Sequence, residues 1–430
     1  MLKYFKIYFI IPALLFILSQ PVIAEEVLNW QDCIKEASKN HPDLIAAQEE
    51  LKQSEADKKI TASTLLPQIE ANLNASTAKN ASGQNGSTSG GTSDTYSYGV
   101  TGTQLIFDGT KTIQDVRSAS ENIKAYQQNF RYASVTVRYN LRSAYTALLK
   151  AQEQLKITQE IFDIRRSNLE LITLRYESGL EHKGALLTAE ADLADARYQI
   201  SQAQRGLEVA QRKLVKEMGR KQFSPISIKG DFIANDAVKV KPDFETLAKK
   251  NPSLLKIIAQ KNSAEFSLKS AYANFSPSLS GSAGANRTGS HWEPKGDQWN
   301  LGLTLSMPIF EGGLRLAQVS KAQAYLNQLN ENERSIRDGI VSALEESWAL
   351  FQDAVENLGV QEKQLIATEE RSKIAQAEYS VGFITFDNWT IIEDNLVKQK
   401  STYLNAQAEL LLAEANWIKA KGEVLEYEEK

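Results

Sequence analysis

The side chains able to do covalent or metal chemistry are few in this chain, and their spacing does not suit it. His41, His182 and His291 are the only histidines, each more than 100 residues from the next, without the short spacing that builds a metal site. Cys33 is the single cysteine, so no internal disulfide framework is available. It lies nine residues beyond Ala24, too far to be a lipid-bearing cysteine at a cleavage site, and reads as a small buried hydrophobe. No G-x-S-x-G elbow, phosphate-binding glycine loop or Cys-x-x-Cys pair occurs. The 53 acidic side chains fall largely on helical faces, where solvation accounts for them. Neither an enzyme nor a cofactor is expected; the function must reside in shape and recognition.

What recurs instead is a structural unit. "YESGLEHKGALLTAEADL", Tyr176 to Leu193, returns 203 residues later as "YSVGFITFDNWTIIEDNL", Tyr379 to Leu396. Pro42 and Pro67 are 25 apart, as are Pro252 and Pro277. Phe107 precedes Tyr176 by 69 residues and Phe310 precedes Tyr379 by the same interval. The halves are therefore a tandem duplication, differing by seven residues between Pro67 and Phe107. The expected organisation is a leader at 1–24, a first repeat at 25–219, a linker at 220–244 and a second repeat at 245–430.

Each repeat reads as helix, two strands, one very long helix and a further helix. Val116, Ala119, Ile123, Tyr126 and the apolar positions beyond them, up to Phe162, step by 3 and 4, a coiled-coil seam with one stutter. Long helices over 110–176 and 313–379 follow, each roughly 100 Å at 1.5 Å per residue. A helix over 31–64 and one over 183–218 flank the first, and one over 386–425 follows the second. The flanking helices sum to nearly the length of the long one, which predicts that they stack end to end beside it. Tyr176-x-x-Gly179 and Tyr379-x-x-Gly382 then sit where the chain reverses, with glycine supplying the positive φ of a helix C-cap.

The strands lie near 68–107 and 278–310. Ile69, Ala71 and Leu73 alternate with polar residues, as do Trp299, Leu301, Leu303 and Leu305, and segments of about 10 to 12 residues cross a bilayer when tilted. The opening "MLKYFKIYFIIPALLFILSQPVIA" has Lys3 and Lys6 before an apolar run and small residues at a cleavage site after Ala24, the pattern of a secretory signal. Its removal leaves 47 basic against 53 acidic side chains, a net charge of −6, which gives no basic face for nucleic acid. Four strands leave open edges and cannot close a barrel alone, so several copies are required.

Together "KNHPDL", "KNPSL", "IFDGT", "IFEGGLR" and "YSVG" resemble the TolC-like outer-membrane efflux proteins of Gram-negative bacteria, over essentially the whole mature chain. The resemblance implies a mainly α fold with β: a homotrimer with a 12-stranded transmembrane β-barrel, four strands per chain, and a long coiled-coil α-helical barrel in the periplasm. It implies an exit duct of an efflux or type I secretion system, set in outer-membrane lipid and joined by a periplasmic adaptor to an inner-membrane pump. The residues it assigns to adaptor docking are Tyr176, Gly179, Leu180, Tyr379, Gly382 and Phe383. Family members often carry gate carboxylates six and nine residues past the second turn glycine, where this chain has Asn388 and Ile391. Two gates stay open on the sequence: Asp387 displaced by one position, or a constriction lined by Phe386, Trp389 and Asn388. The alternative function is a structural periplasmic coiled-coil protein without a channel. Drug, metal and protein cargo are equally compatible with the residues.

Overall fold

The computed structural model describes residues 26–79, 92–234 and 240–425; the expected leader at 1–24 lies outside them. The elements in chain order are β1 (Glu26–Leu28), α1 (Trp30–Asn40), α2 (Pro42–Ser63), β2 (Gln68–Lys79), β3 (Thr92–Phe107), α3 (Lys111–Glu177), α4 (Lys183–Glu217), β4 (Ile226–Ile228), α5 (Phe244–Ala248), α6 (Pro252–Ala273), β5 (Ser278–Gly289), β6 (Gly296–Ser306), α7 (Leu314–Ser380) and α8 (Phe386–Lys421). α3 and α7 are each 67 residues long. No helix among the described residues is long and apolar enough to cross a membrane.

Where the sequence reads one helix over 31–64, the chain forms two. His41 is extended (φ −67°, ψ 124°) because the residue before a proline is pushed out of the helical region. Pro42 then starts α2 at the position where its missing N–H costs nothing. α1 turns away and packs with β1, β4 and the middle of α3, where Cys33, Ala37, Leu141, Tyr145, Leu148, Leu214 and Met218 form a core. Cys33 is fully buried in it, and burial pushes its thiol up to about 12.

The stack beside α3 is consequently α2 on α4, of 22 and 35 residues; α6 and α8, of 22 and 36, stack beside α7. Both joints are made alike. Gly219 follows α4 and sits so close to the Asn40 backbone that no Cβ fits there, while His41 Nε2 lies 3.6 Å from the Glu217 carboxylate. Gly422 follows α8 and abuts Pro252, and Asn251 Nδ2 donates to the Ala420 carbonyl at 3.1 Å.

The long helices differ in company. α3 packs against α2 and α4 on one side and α6 and α8 on the other, whereas α7 packs mainly against α5, α6 and α8 and meets α3 and α4 at its C-terminal end. Leu316, Tyr325, Leu350, Val360, Ile366 and Ile374 of α7 are left exposed. Against α6, the upper part of α3 uses small side chains: Ser118 Oγ is 2.8 Å from Ser263 Oγ and 3.0 Å from Ser267 Oγ, which brings the two backbones close.

Four strands form one antiparallel sheet in the order β2-β3-β5-β6. β3 is 16 residues rather than 10 to 12, extended at its loop end where Thr77 donates to Asp94 at 2.8 Å. Pairing places Leu73 opposite Tyr98, Ala71 opposite Val100, Val100 opposite Ala285, and Ala285 opposite Trp299. That face is apolar and exposed; Leu303, for example, is 73% accessible. The other face carries Asn72, Gly99, Asn286 and Gln298 in one row and Gln68, Thr103, Ser282 and Gly302 in another. β2 and β6 each have one unpaired edge within the chain.

Candidate functional site: the helix-reversing end

Both long helices end in the same hydrogen-bonded motif. Gly179 has φ 71° and Gly382 φ 83°. The Leu180 N–H donates to the Arg175 carbonyl (2.8 Å) and the Phe383 N–H to the Glu378 carbonyl (2.9 Å), with the glycine N–H groups bonded to Tyr176 and Tyr379 carbonyls at 3.0 Å. This is a Schellman cap, which needs a left-handed residue and so favours glycine. The returning helices are capped by side chains: His182 Nδ1 accepts from the Ala185 N–H at 3.0 Å, and Thr385 Oγ1 from the Asn388 N–H at 3.4 Å.

Around these matched turns the side chains diverge. Tyr379 is 1% exposed. Its ring stacks on Trp389 (centroids 4.5 Å apart, planes at 9°) and meets Phe386 edge-on at 6.3 Å. Ile172, Ala185, Ala189 and Ala375 complete this small core. The Tyr379 hydroxyl donates to Glu181 Oε2 at 2.8 Å, and the Arg175 guanidinium lies 4.8 Å from the Tyr379 ring centroid. Burial, then the bond to Glu181, push the Tyr379 hydroxyl well above its usual range. One tyrosine of the second hairpin is thus gripped by an acid and a cation of the first. Its repeat mate Tyr176 is 38% exposed.

Further along, Arg165 of α3 forms ion pairs with Asp192 of α4, at 3.5 Å, and Asp394 of α8. Burial raises the Asp192 carboxyl against the opposing pull of Arg165. Lys400 of α8 reaches Glu160 of α3 at 2.9 Å. Between α7 and α8, Ser372 donates to the buried Glu393 at 2.5 Å.

Of the residues singled out in sequence, Tyr176, Gly179, Leu180, Gly382 and Phe383 lie at the exposed extremity, with Phe383 84% accessible. Tyr379 does not; it is the hub beneath. The four gate candidates divide. Asp387 and Asn388 are exposed, and so is Ile391. Phe386 and Trp389 are buried against Tyr379, Trp389 to 2%. In the single chain each of these two rings supplies apolar area to the hairpin core. Sequence reasoning missed Glu181, Arg175 and Arg165. Each has a partner on the other hairpin, Tyr379 or Asp394, and no local spacing marks those contacts. Among the described residues no group of three or more His, Cys, Asp or Glu could hold a metal ion.

Residues 33–220 and 245–429 match the model of the outer membrane efflux protein family. The chain belongs to that family. The duplicated match falls on the two repeats and leaves 221–244 between them. Among curated relatives, the outer membrane efflux protein BepC of Brucella suis biovar 1 (strain 1330) is 20% identical over 406 residues, covering 90% of this chain and 81% of the relative. Outer membrane protein TolC of Escherichia coli (strain K12) is 24% identical over 343 residues, covering 74% and 66%. Solved structures share the fold: one of CusC at TM-score 0.81 and 19% identity, covering 92% of this chain and 93% of that one, and the open state of the Neisseria gonorrhoeae MtrE outer membrane channel at 0.78 and 18%, covering 91% and 88%. As a TolC-like member of the family, the chain is an outer-membrane efflux protein. Its curated relatives are named as outer membrane and efflux proteins, and solved structures of the same fold include outer membrane channels.

Proposed function

We propose that three copies of this chain form an exit duct: a 12-stranded barrel through the outer membrane continued by a helical tube into the periplasm. The observation that carries the reading is the sheet. It has an apolar face, a polar face and two unpaired edges, and in hydrocarbon each unsatisfied backbone group costs several kcal/mol. Pairing β6 of one copy with β2 of the next removes every edge at once. The same operation gives α7, bare on one side, a neighbour. Native mass measurement of the detergent-solubilised protein tests this: trimers that persist on dilution are expected, and a stable folded monomer would overturn it.

The hairpin ends face away from the sheet, and their exposed Leu180 and Phe383 supply the apolar contacts on which a periplasmic adaptor docks, linking the duct to an inner-membrane pump. Closure of that end rests on the first-to-second hairpin contacts, Tyr379 with Glu181 and Arg165 with Asp394. Asp387, exposed on the first turn of α8, is the side chain placed to line the aperture in three copies. Asp387→Ala is expected to lower cation preference and widen the resting pore in single-channel recordings; wild-type values in both would show the aperture to be elsewhere.

A further inference from the structure

The polar face of the sheet is nearly uncharged. Following the pairing from strand to strand, it is made of Gln68, Glu70, Asn72, Asn74 and Ser76 on β2, and Ser97, Gly99, Thr101 and Thr103 on β3. It continues through Ser280, Ser282, Gly284, Asn286 and Thr288 on β5 to Gln298, Asn300, Gly302 and Thr304 on β6. Its assignment to one side is confirmed by contact: a Cβ built on Gly284 would meet Asn300 Oδ1 and Thr101 Oγ1, whereas one on Gly281 would meet Ile106 Cδ1 and Leu303 Cδ2. The other charged side chains of the four-stranded sheet lie on the apolar face toward the loop end, at Lys79, Asp94, Arg287 and Asp297. Among the described residues of β2, β3, β5 and β6, Glu70 is therefore the one ionisable side chain on the polar face.

Its position is informative. It is the third residue of β2, close to where α2 gives way to the sheet, and it is exposed. Its row across the sheet is Thr101, Gly284 and Asn300, small neighbours that neither neutralise nor cover it. Meanwhile the two tip positions where the family often has carboxylates hold Asn388 and Ile391.

We infer that Glu70 is a selectivity-determining residue of the duct: three copies form a carboxylate ring inside the barrel, at its junction with the helical tube, which favours cations independently of the tip. The inference rests on the trimeric-duct reading. A ring of like charges in a low-dielectric wall concentrates its field on the solution it encloses. That field spans the lumen only while the Debye length is long, about 30 Å at 0.01 M salt against about 3 Å at 1 M.

The test is the reversal potential of purified full-length protein in planar bilayers under a potassium chloride gradient. For Glu70→Gln the cation-to-anion permeability ratio is expected to fall by about threefold at 0.01 M and to change little at 1 M. Glu70→Lys should carry the ratio below the Gln value, and both effects should persist in an Asp387→Asn background. Conducting trimers whose ratio ignores both Glu70 variants would overturn the inference and leave the duct standing. Trimers that never conduct would overturn the duct reading, and this inference with it.

Discussion

Tyr176 and Tyr379 occupy the same place in two copies of one hairpin, yet one is a surface residue and the other the most enclosed ring at the tip. The local motif is identical down to its hydrogen bonds. The difference comes from neighbours: α3 stands in the middle of the chain with helices on both sides, α7 stands at its edge. Duplication copied the backbone program, and position in the assembly then decided which side chains were free to specialise. The hub around Tyr379 is built across the repeats, so it has no counterpart at Tyr176. The joints tell the same story in charges. Arg220, after the first, binds Glu36 at 2.6 Å and Glu26 at 2.8 Å; Glu423, 203 residues later, binds Lys421 at 2.7 Å and Arg138 at 3.3 Å.

Substitutions that act on one copy and spare the other sharpen this contrast. The largest effect is expected from Trp389→Ala, which empties the stacked pair and should cost about 3–5 kcal/mol of local stability. Hydrogen exchange over 372–392 would report it, while Phe383→Ala should leave exchange unchanged and weaken adaptor capture instead. Tyr379→Phe removes the hydroxyl bond to Glu181, leaves that carboxylate to Arg175 and His182, and should cost about 1–2 kcal/mol. Tyr176→Phe should stay within about 0.5 kcal/mol. Equal losses in the two Phe variants would break the comparison.

At the glycines the copies should behave alike. Gly179→Val and Gly382→Val each force a β-branched residue into the left-handed region, about 1–2 kcal/mol, and both are expected to reduce export at unchanged trimer level. The smallest effect concerns pH. The hydrogen bond from Arg220 holds the Glu26 carboxyl below its usual range. Its contribution is therefore present above the unfolded carboxylate value and lost as pH falls through the lower folded one. Glu26→Gln should lower the thermal midpoint slightly at neutral pH and not at all near pH 2. A larger deficit in acid would reverse the assigned sign.

Much of the fold was legible in the sequence because it follows from local rules. The Tyr-x-x-Gly turns mark reversals through backbone conformation, the period-2 runs mark strands, and the 203-residue offset carries both from one half to the other. The break at His41 was legible too: Asn29 with Asp32 makes a capping box, and Pro42 starts a second helix, two signals that an uninterrupted seam obscures. Phe386, Trp389 and Leu396 lie on one helical stripe, the spacing of a buried face. The grip of Glu181 and Arg175 on Tyr379 had no such signature. It depends on α3 and α8 lying side by side, a consequence of how hairpins are arranged rather than of any spacing along the chain.

The paired joints carry a mechanical consequence. α2 meets α4, and α6 meets α8, only through end contacts, whereas α3 and α7 run unbroken past the same level. In the trimeric duct proposed above, torque applied at the tip would travel toward the sheet along two rods per chain, while the end-to-end joints of the segmented helices would yield to the twist.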